Sequence, residues 1–243
     1  MLEQRREFLS THWSAIIAAR DPESPRSAAA LEALCRDYWF PLYSFVRRSG
    51  AGPEEAADLT QEFFSRLLSN QGLDLVSREK GKFRSFLIAS IKNLMANERE
   101  RASCLKRGGG QPAFSLEELD AEGRYLAGFV DESGPDRLFD RRWAESILAR
   151  SLARLRRECD GDDGIRRFEQ VKGFLLAERE GDSVAAAAMR LKLSLPATKS
   201  LIHRLRRRFA ELIRHEVAQT LVQPTQTEID CEIRELFAAF ERG

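Results

Sequence analysis

Between Leu191 and Phe209 the sequence reads LKLSLPATKSLIHRLRRRF, and four of the five positions from Arg204 to Arg208 are arginine, with Leu205 the exception. Guanidinium groups set so densely share one chemistry: they grip phosphate and, at base edges, donate paired hydrogen bonds. A solvated helix face rarely carries so much charge of one sign. Just upstream, Ser194 suits a helix N-cap, and Pro196 falls within the first turn, where no intrahelical donor is lost. A short helix near 182–191 is thus followed by a long one from about 195 to 221, and two helices joined by so tight a turn have helix-turn-helix spacing. On the second helix Ile202, Leu205, Phe209, Ile213 and Val217 form the stripe expected to be buried. Lys199, Ser200, His203, Arg204 and Arg207 then face outward near the helix start, where a recognition helix meets base edges in the major groove. Arg206 and Arg208 are better placed for phosphates, which position a protein without reading sequence. The alanines from Ala185 to Ala188 allow the first helix to approach closely.

Bond-making chemistry finds little support. No Ser/His/Asp set or carboxylate pair is identifiable by spacing, and Gly108-Gly109-Gly110 lacks both the Gly-Lys-Ser/Thr ending and the preceding strand of a phosphate loop. Those glycines read as a flexible joint. Cys35, Cys104, Cys159 and Cys231 are far apart, and the three histidines do not join them at zinc-ligand spacings. The expectation is a non-enzyme with no metal and no cofactor, reduced and cytoplasmic. The opening MLEQRREFLS has no apolar core for a signal peptide, and no stretch approaches the roughly 18 apolar residues needed to span a bilayer, so no membrane insertion is expected.

The elements that must carry the basic faces are helices. Strand signals are weak, while apolar residues recur at three- and four-residue steps, as in Leu59, Phe63, Leu67 and in Phe86, Ile88, Ile91, Met95. Breakers predict a first helix near 5–20, a second starting near Ser27 that must cope with Pro41, a third over 53–69 with Pro53, Glu54 and Glu55 in its first turn, and a fourth over 83–102 after a loop at 70–82. Helices near 137–158 and 165–179 lead into the helix-turn-helix. With 243 residues and 43% apolar content the chain can build two cores. The fold class is all-α: two small helical domains, 1–106 and 136–221, joined by an acidic linker over 107–135, with an amphipathic tail over 222–243.

Net charge is only +1, but it is segregated along the chain. From Ser115 to Asp140 eight acids against Arg124 and Arg137 leave −6; from Arg78 to Arg107 nine Lys or Arg against three Glu leave +6; from Asp182 to Thr220 eight against three leave +5. Two basic faces thus flank an acidic tether.

Taken together, the chain resembles the extracytoplasmic-function (ECF) sigma factors of bacterial RNA polymerase, which keep only regions 2 and 4. LSLPATKSLIHRLR from Leu193 to Arg206 is similar to region 4.2, PEEAADLTQEFFSRLL from Pro53 to Leu68 to region 2.2, and FRSFLIASIKN from Phe83 to Asn93 to regions 2.3 and 2.4. The similarity runs over about 10–105 and 135–220 in the family's order, and the triple glycine, SLEELDAEGRY and FDRRWAESILARSLARL are similar to the planctomycete-like groups. Three positions depart from the family pattern: Lys192 stands where the turn often has glycine, Thr198 where valine is usual, and Leu201 where an arginine is expected to contact DNA.

The resemblance implies that the 53–68 helix docks on the clamp helices of the polymerase β′ subunit, burying Leu59, Phe63 and Leu67 and turning Asp58, Gln61, Glu62 and Arg66 outward, and that region 4 meets the β flap. It implies that Lys199, Ser200, His203 and Arg204 read the −35 element. In region 2, Lys82, Arg84, Phe86 and Lys92 lie on a basic track suited to a single strand, which is held by charge along its backbone and by aromatic stacking. By resemblance Asn93 sits where a flipped −10 base is captured. Phe83 and Phe86 also suit interior packing. Implied partners are core RNA polymerase, promoter DNA and an anti-sigma factor or other regulatory protein. Two roles stay open for the tail, whose Ile229, Ile233, Leu236 or Phe237, and Phe240 share a face: clasping the two domains in an inactive form, or binding another protein. The rival reading is a helix-turn-helix regulator that acts without polymerase.

Overall fold

The computed structural model describes residues 25–68, 82–104, 116–127, 134–176, 183–221 and 224–241. The expected helix near 5–20, the loop up to residue 81 and the triple glycine lie outside the described residues. Among those described there is no strand, and the fold is all-α, as the periodicity predicts. The chain divides into two compact units, one of residues 1–144 with 218–243 and one of residues 145–217.

The first unit is built on α1 (Pro25–Arg48), α2 (Pro53–Leu68) and α3 (Phe83–Cys104). α1 runs through Pro41 without ending. An interior proline costs about 3 kcal/mol, but burying a large apolar side chain returns about 1.5–3 kcal/mol, and Leu34, Tyr38, Leu42 and Phe45 are all buried along this helix. Arg47 and Arg48 occupy its last turn, where cations suit the dipole. α2 opens as its sequence demands, with Pro53 first and Glu54 and Glu55 in the first turn. Leu59, Phe63, Phe64 and Leu67 are buried on one side of α2, and Phe83, Leu87, Ile91, Leu94 and Met95 on one side of α3.

Two features of this unit differ from the sequence expectation. Within the acidic tether stands α4 (Leu116–Ala127), whose Ala121 and Tyr125 are buried. Glu122 ties it down, accepting from the Tyr43 hydroxyl at 2.5 Å and from Arg47 at 2.7 and 2.9 Å, while the Arg124 guanidinium lies 3.9 Å from the Phe40 ring centre. An acid-rich stretch thus becomes a helix because its carboxylate and aromatic meet partners on α1. Second, the tail is not a separate segment. The last helix, α9 (Gln226–Glu241), belongs to the first unit, as do the opening turns of α5 (Pro135–Arg157), where Leu138, Phe139 and Trp143 are buried. α9 starts at a capping box: the Thr225 N–H donates to the Glu228 carboxylate at 2.8 Å and the Glu228 N–H to the Thr225 hydroxyl at 3.3 Å. Leu236 is buried and Phe237 exposed, which settles which of the two joins the apolar face.

The second unit contains the rest of α5, then α6 (Gly161–Val171), a 3-10 turn at Lys172–Phe174, α7 (Val184–Leu191) and all but the last two residues of α8 (Leu195–Gln219). Val171, Phe174, Ala187, Leu191 and Ile202 form its core, with Val184, Leu193, Leu201 and Leu205 packed around it. Ser183 caps α7 by accepting from the Ala186 N–H at 3.1 Å, and Ser194 caps α8 by accepting from the Ala197 N–H at 3.3 Å. Between the helices Lys192 is left-handed, with φ 53° and ψ 38°, and the Leu193 N–H closes the turn on the Ala188 carbonyl at 3.0 Å. A side chain at this φ costs roughly 1 kcal/mol relative to glycine. Lys192→Gly is therefore expected to slow amide exchange in the cores of α7 and α8 by about fivefold, the equivalent of about 1 kcal/mol, measured on the full chain; exchange unchanged or faster would mean that the turn is unstrained.

Candidate nucleic-acid interface

The outer face of α8 is assembled from one helical period. Thr198, Ile202 and Phe209 point into the core and are buried, and the Thr198 hydroxyl is spent on the Ser194 carbonyl at 3.1 Å. That register leaves Lys199, Ser200, His203, Arg204 and Arg207 exposed. Lys199, Ser200, His203 and Arg204 bond through their side chains to none of the described residues. Leu201 packs partly buried against the helix-turn-helix core, which accounts for a leucine where the family pattern has an arginine.

The arginine row divides by the partners its members meet. Arg206, expected to grip phosphate, donates to the Phe174 carbonyl at 2.7 Å and so ties α8 to the 3-10 turn. Arg208, expected to do the same, forks onto Glu158 at 2.7 and 2.9 Å and reaches Glu211 at 2.9 Å. Its hydrogen bond to Glu158 holds that carboxyl below the usual carboxylate range. Arg207 remains well exposed, 3.5 Å from Glu211. A count of charges along a chain cannot separate these roles, because the partners Phe174 and Glu158 lie far away in sequence.

On α2, Asp58, Gln61 and Glu62 are exposed and Arg66 is half-exposed, opposite the buried Leu59, Phe63 and Leu67. Arg66 bonds Glu62 at 2.5 Å and Glu98 of α3 at 3.3 Å, so two of the four outward residues also brace each other. At this exposure such a brace contributes little to stability.

α3 carries the remaining group, and its residues diverge. Asn93 and Lys92 are exposed, with Lys92 Nζ 2.7 Å from Asp136. Phe86 is half-buried beside the buried Phe83, ring centres 6.2 Å apart, and Phe83 packs edge-on to Tyr38. Arg84 is only 7% exposed. Its guanidinium lies 4.8 Å from the Trp143 ring centre and bonds Glu232 at 2.7 Å, Asp140 at 2.5 Å and also Glu235. Lys82 Nζ meets the same Glu232 at 2.7 Å and also Glu235. Burial pushes the Asp140 carboxyl up against the pull of Arg84. For Glu235 burial acts in the same sense, but the Lys82 hydrogen bond and the Arg84 charge outweigh it and hold the carboxyl below its usual range. Along this face runs a groove of about 500 Å³ whose lining includes Lys82, Arg84 and Lys92 together with Asp136, Asp140 and Glu235.

Sequence reasoning did not find Glu232, Glu235, Asp140 and Trp143 as partners of Arg84. One signal was available: Glu232 interrupts the apolar stripe of Ile229, Ile233, Leu236 and Phe240, and a carboxylate inside such a stripe must be paired if the stripe is buried.

Comparison with known proteins gives one family: the model of sigma-70 region 2 matches residues 35–103, from α1 through α2 to all but the last residue of α3. No curated protein and no solved structure matches the chain. No helix among the described residues is long and apolar enough to cross a membrane.

The division of the arginine row has a measurable consequence. Arg206→Ala is expected to lower stability by about 1 kcal/mol, the usual worth of one intramolecular hydrogen bond, while Arg204→Ala stays within about 0.5 kcal/mol of the parent; urea unfolding compares the two. Equal losses would contradict the division.

Proposed function

We propose that this chain, which carries a sigma-70 region 2 at residues 35–103, is a promoter-specific sigma factor of the ECF type. Region 2 belongs to transcription-initiation factors, which are not enzymes; it binds core RNA polymerase and takes part in melting promoter DNA. The observation that carries the reading is that this match runs from within α1 through α2 to the last turn of α3, the stretch bearing the outward residues of α2 and the basic track of α3.

A factor of this kind makes and breaks no bonds. It must attach to polymerase, place it, and help to separate strands. Attachment falls to α2, through Asp58, Gln61, Glu62 and Arg66 on the β′ clamp helices, with region 4 on the β flap. Strand capture falls to α3: Lys82, Arg84 and Lys92 draw the backbone, Phe86 offers a stacking face, and Asn93 takes the extruded −10 base. Reading of the −35 element falls to α8. Support comes from the unpaired and exposed Lys199, Ser200, His203 and Arg204, with Arg207 beside them and Arg206 and Arg208 setting the helix that presents them. Each face alone makes few contacts, so promoter choice requires polymerase to hold both, an effective-concentration effect. The setting is the cytoplasm, where polymerase works, and an anti-sigma factor or another regulatory protein would act by covering one of these faces.

The second reading, a helix-turn-helix regulator that needs no polymerase, draws on the same α8 face. Both are tested by adding the purified chain to sigma-free core polymerase with promoter fragments recovered by selection. The expected result is initiation only when both are present, with Lys199→Ala and Arg204→Ala each losing discrimination at one −35 position by about 5–150-fold, the worth of a bidentate base contact. Tight DNA footprints by the chain alone, without initiation, would favour the regulator.

A further inference from the structure

Lys82 and Arg84 stand at the head of the basic track, but their donors are already taken. Two of the acceptors, Glu232 and Glu235, lie one helical turn apart on α9. We infer that α9 is a removable acidic cap on the strand-binding end of α3, so that its carboxylates and the phosphates of a single DNA strand compete for Lys82 and Arg84. This rests on the strand-capture role proposed for α3 and adds a means of regulating it.

The chemistry of the two ligands is alike. A carboxylate and a phosphodiester each offer paired anionic oxygens to a guanidinium fork. Glu232 uses both of its oxygens on Arg84, at 2.7 and 3.3 Å. The charge count then sets the sign of the groove. Lys82, Arg84 and Lys92 are met by Asp136, Asp140, Glu232 and Glu235. Three cations thus face four carboxylates, and α9 supplies two of the four. The groove therefore carries one net negative charge with α9 in place and one net positive charge without it. Only the second state attracts a phosphate backbone.

The seat of α9 is suited to release. Leu236 is its one fully buried apolar side chain among those described, Ile229, Ile233 and Phe240 are half-buried, and Phe237 is 40% exposed. The ion pairs are graded as well. Glu232 is buried, but the Lys82 and Glu235 side chains that line the groove are 31% and 44% exposed. Salt screens this half-exposed pair more than the buried pair of Arg84 and Glu232.

The test uses the full chain and a fluorescein-labelled 12-nucleotide single strand of random sequence, with and without core polymerase. Glu235→Gln removes one outer charge and leaves Arg84 paired to Glu232 and Asp140. It is expected to bind the strand about fivefold more tightly than the parent at low salt, with the difference shrinking as salt rises. In the parent, hydrogen exchange across 226–241 should accelerate when the strand binds. Equal affinities, together with α9 protection unchanged in the strand-bound state, overturn the cap and make α9 a fixed strut. Initiation with polymerase under those same results would show that the proposed function stands while the cap fails. Tighter binding by Glu235→Gln without any initiation would support the cap and count against the polymerase reading.

Discussion

A guanidinium buried at one end of α3 constrains the unit around it. Taking a charge the size of Arg84 out of water costs several kcal/mol unless it is paired and hydrogen-bonded on all sides. The chain meets that cost with Glu232, Asp140 and Glu235, and with the Trp143 ring on the open face. Those partners come from α5 and α9, segments more than fifty residues away from Arg84 in sequence. Pairing the buried Arg84 brings the first turns of α5 and the last helix onto α3. The Phe83 N–H reaching the Thr220 carbonyl at 3.4 Å reinforces the same closure.

How far the fold can be read from sequence follows from the range of each force. α2, α3, α7 and α8 are set by local signals: Pro53 with two glutamates at one start, Ser183 and Ser194 at two others, and apolar steps of three and four. These were legible to within a few residues. α4 was not, because composition marked its stretch as solvated, and what makes it a helix in place is Glu122 meeting Tyr43 and Arg47, residues over seventy positions earlier. The tail was legible as an amphipathic helix, but its destination depended on the pairing of Glu232. Within the candidate site, the outward set on α8 followed from the register of its buried stripe, whereas the contacts of Arg206 and Arg208 were hidden because Phe174 and Glu158 lie on other elements.

The segregated charges of the sequence take two fates. Asp136 and Asp140, from the acidic stretch, and the glutamates of α9 meet the cations of α3. Lys199, His203 and Arg204 on α8 bond to no described residue. One basic face is occupied by the protein's own anions, and the other is open.

The central claim, that these faces serve promoter opening by RNA polymerase, is tested most directly by permanganate reactivity of thymines on a selected promoter fragment. The account predicts a reactive bubble downstream of the α8 contact when chain and core polymerase are both present, and none with either alone. A duplex that stays unreactive in the presence of both, at concentrations where the chain is bound to core, would contradict it.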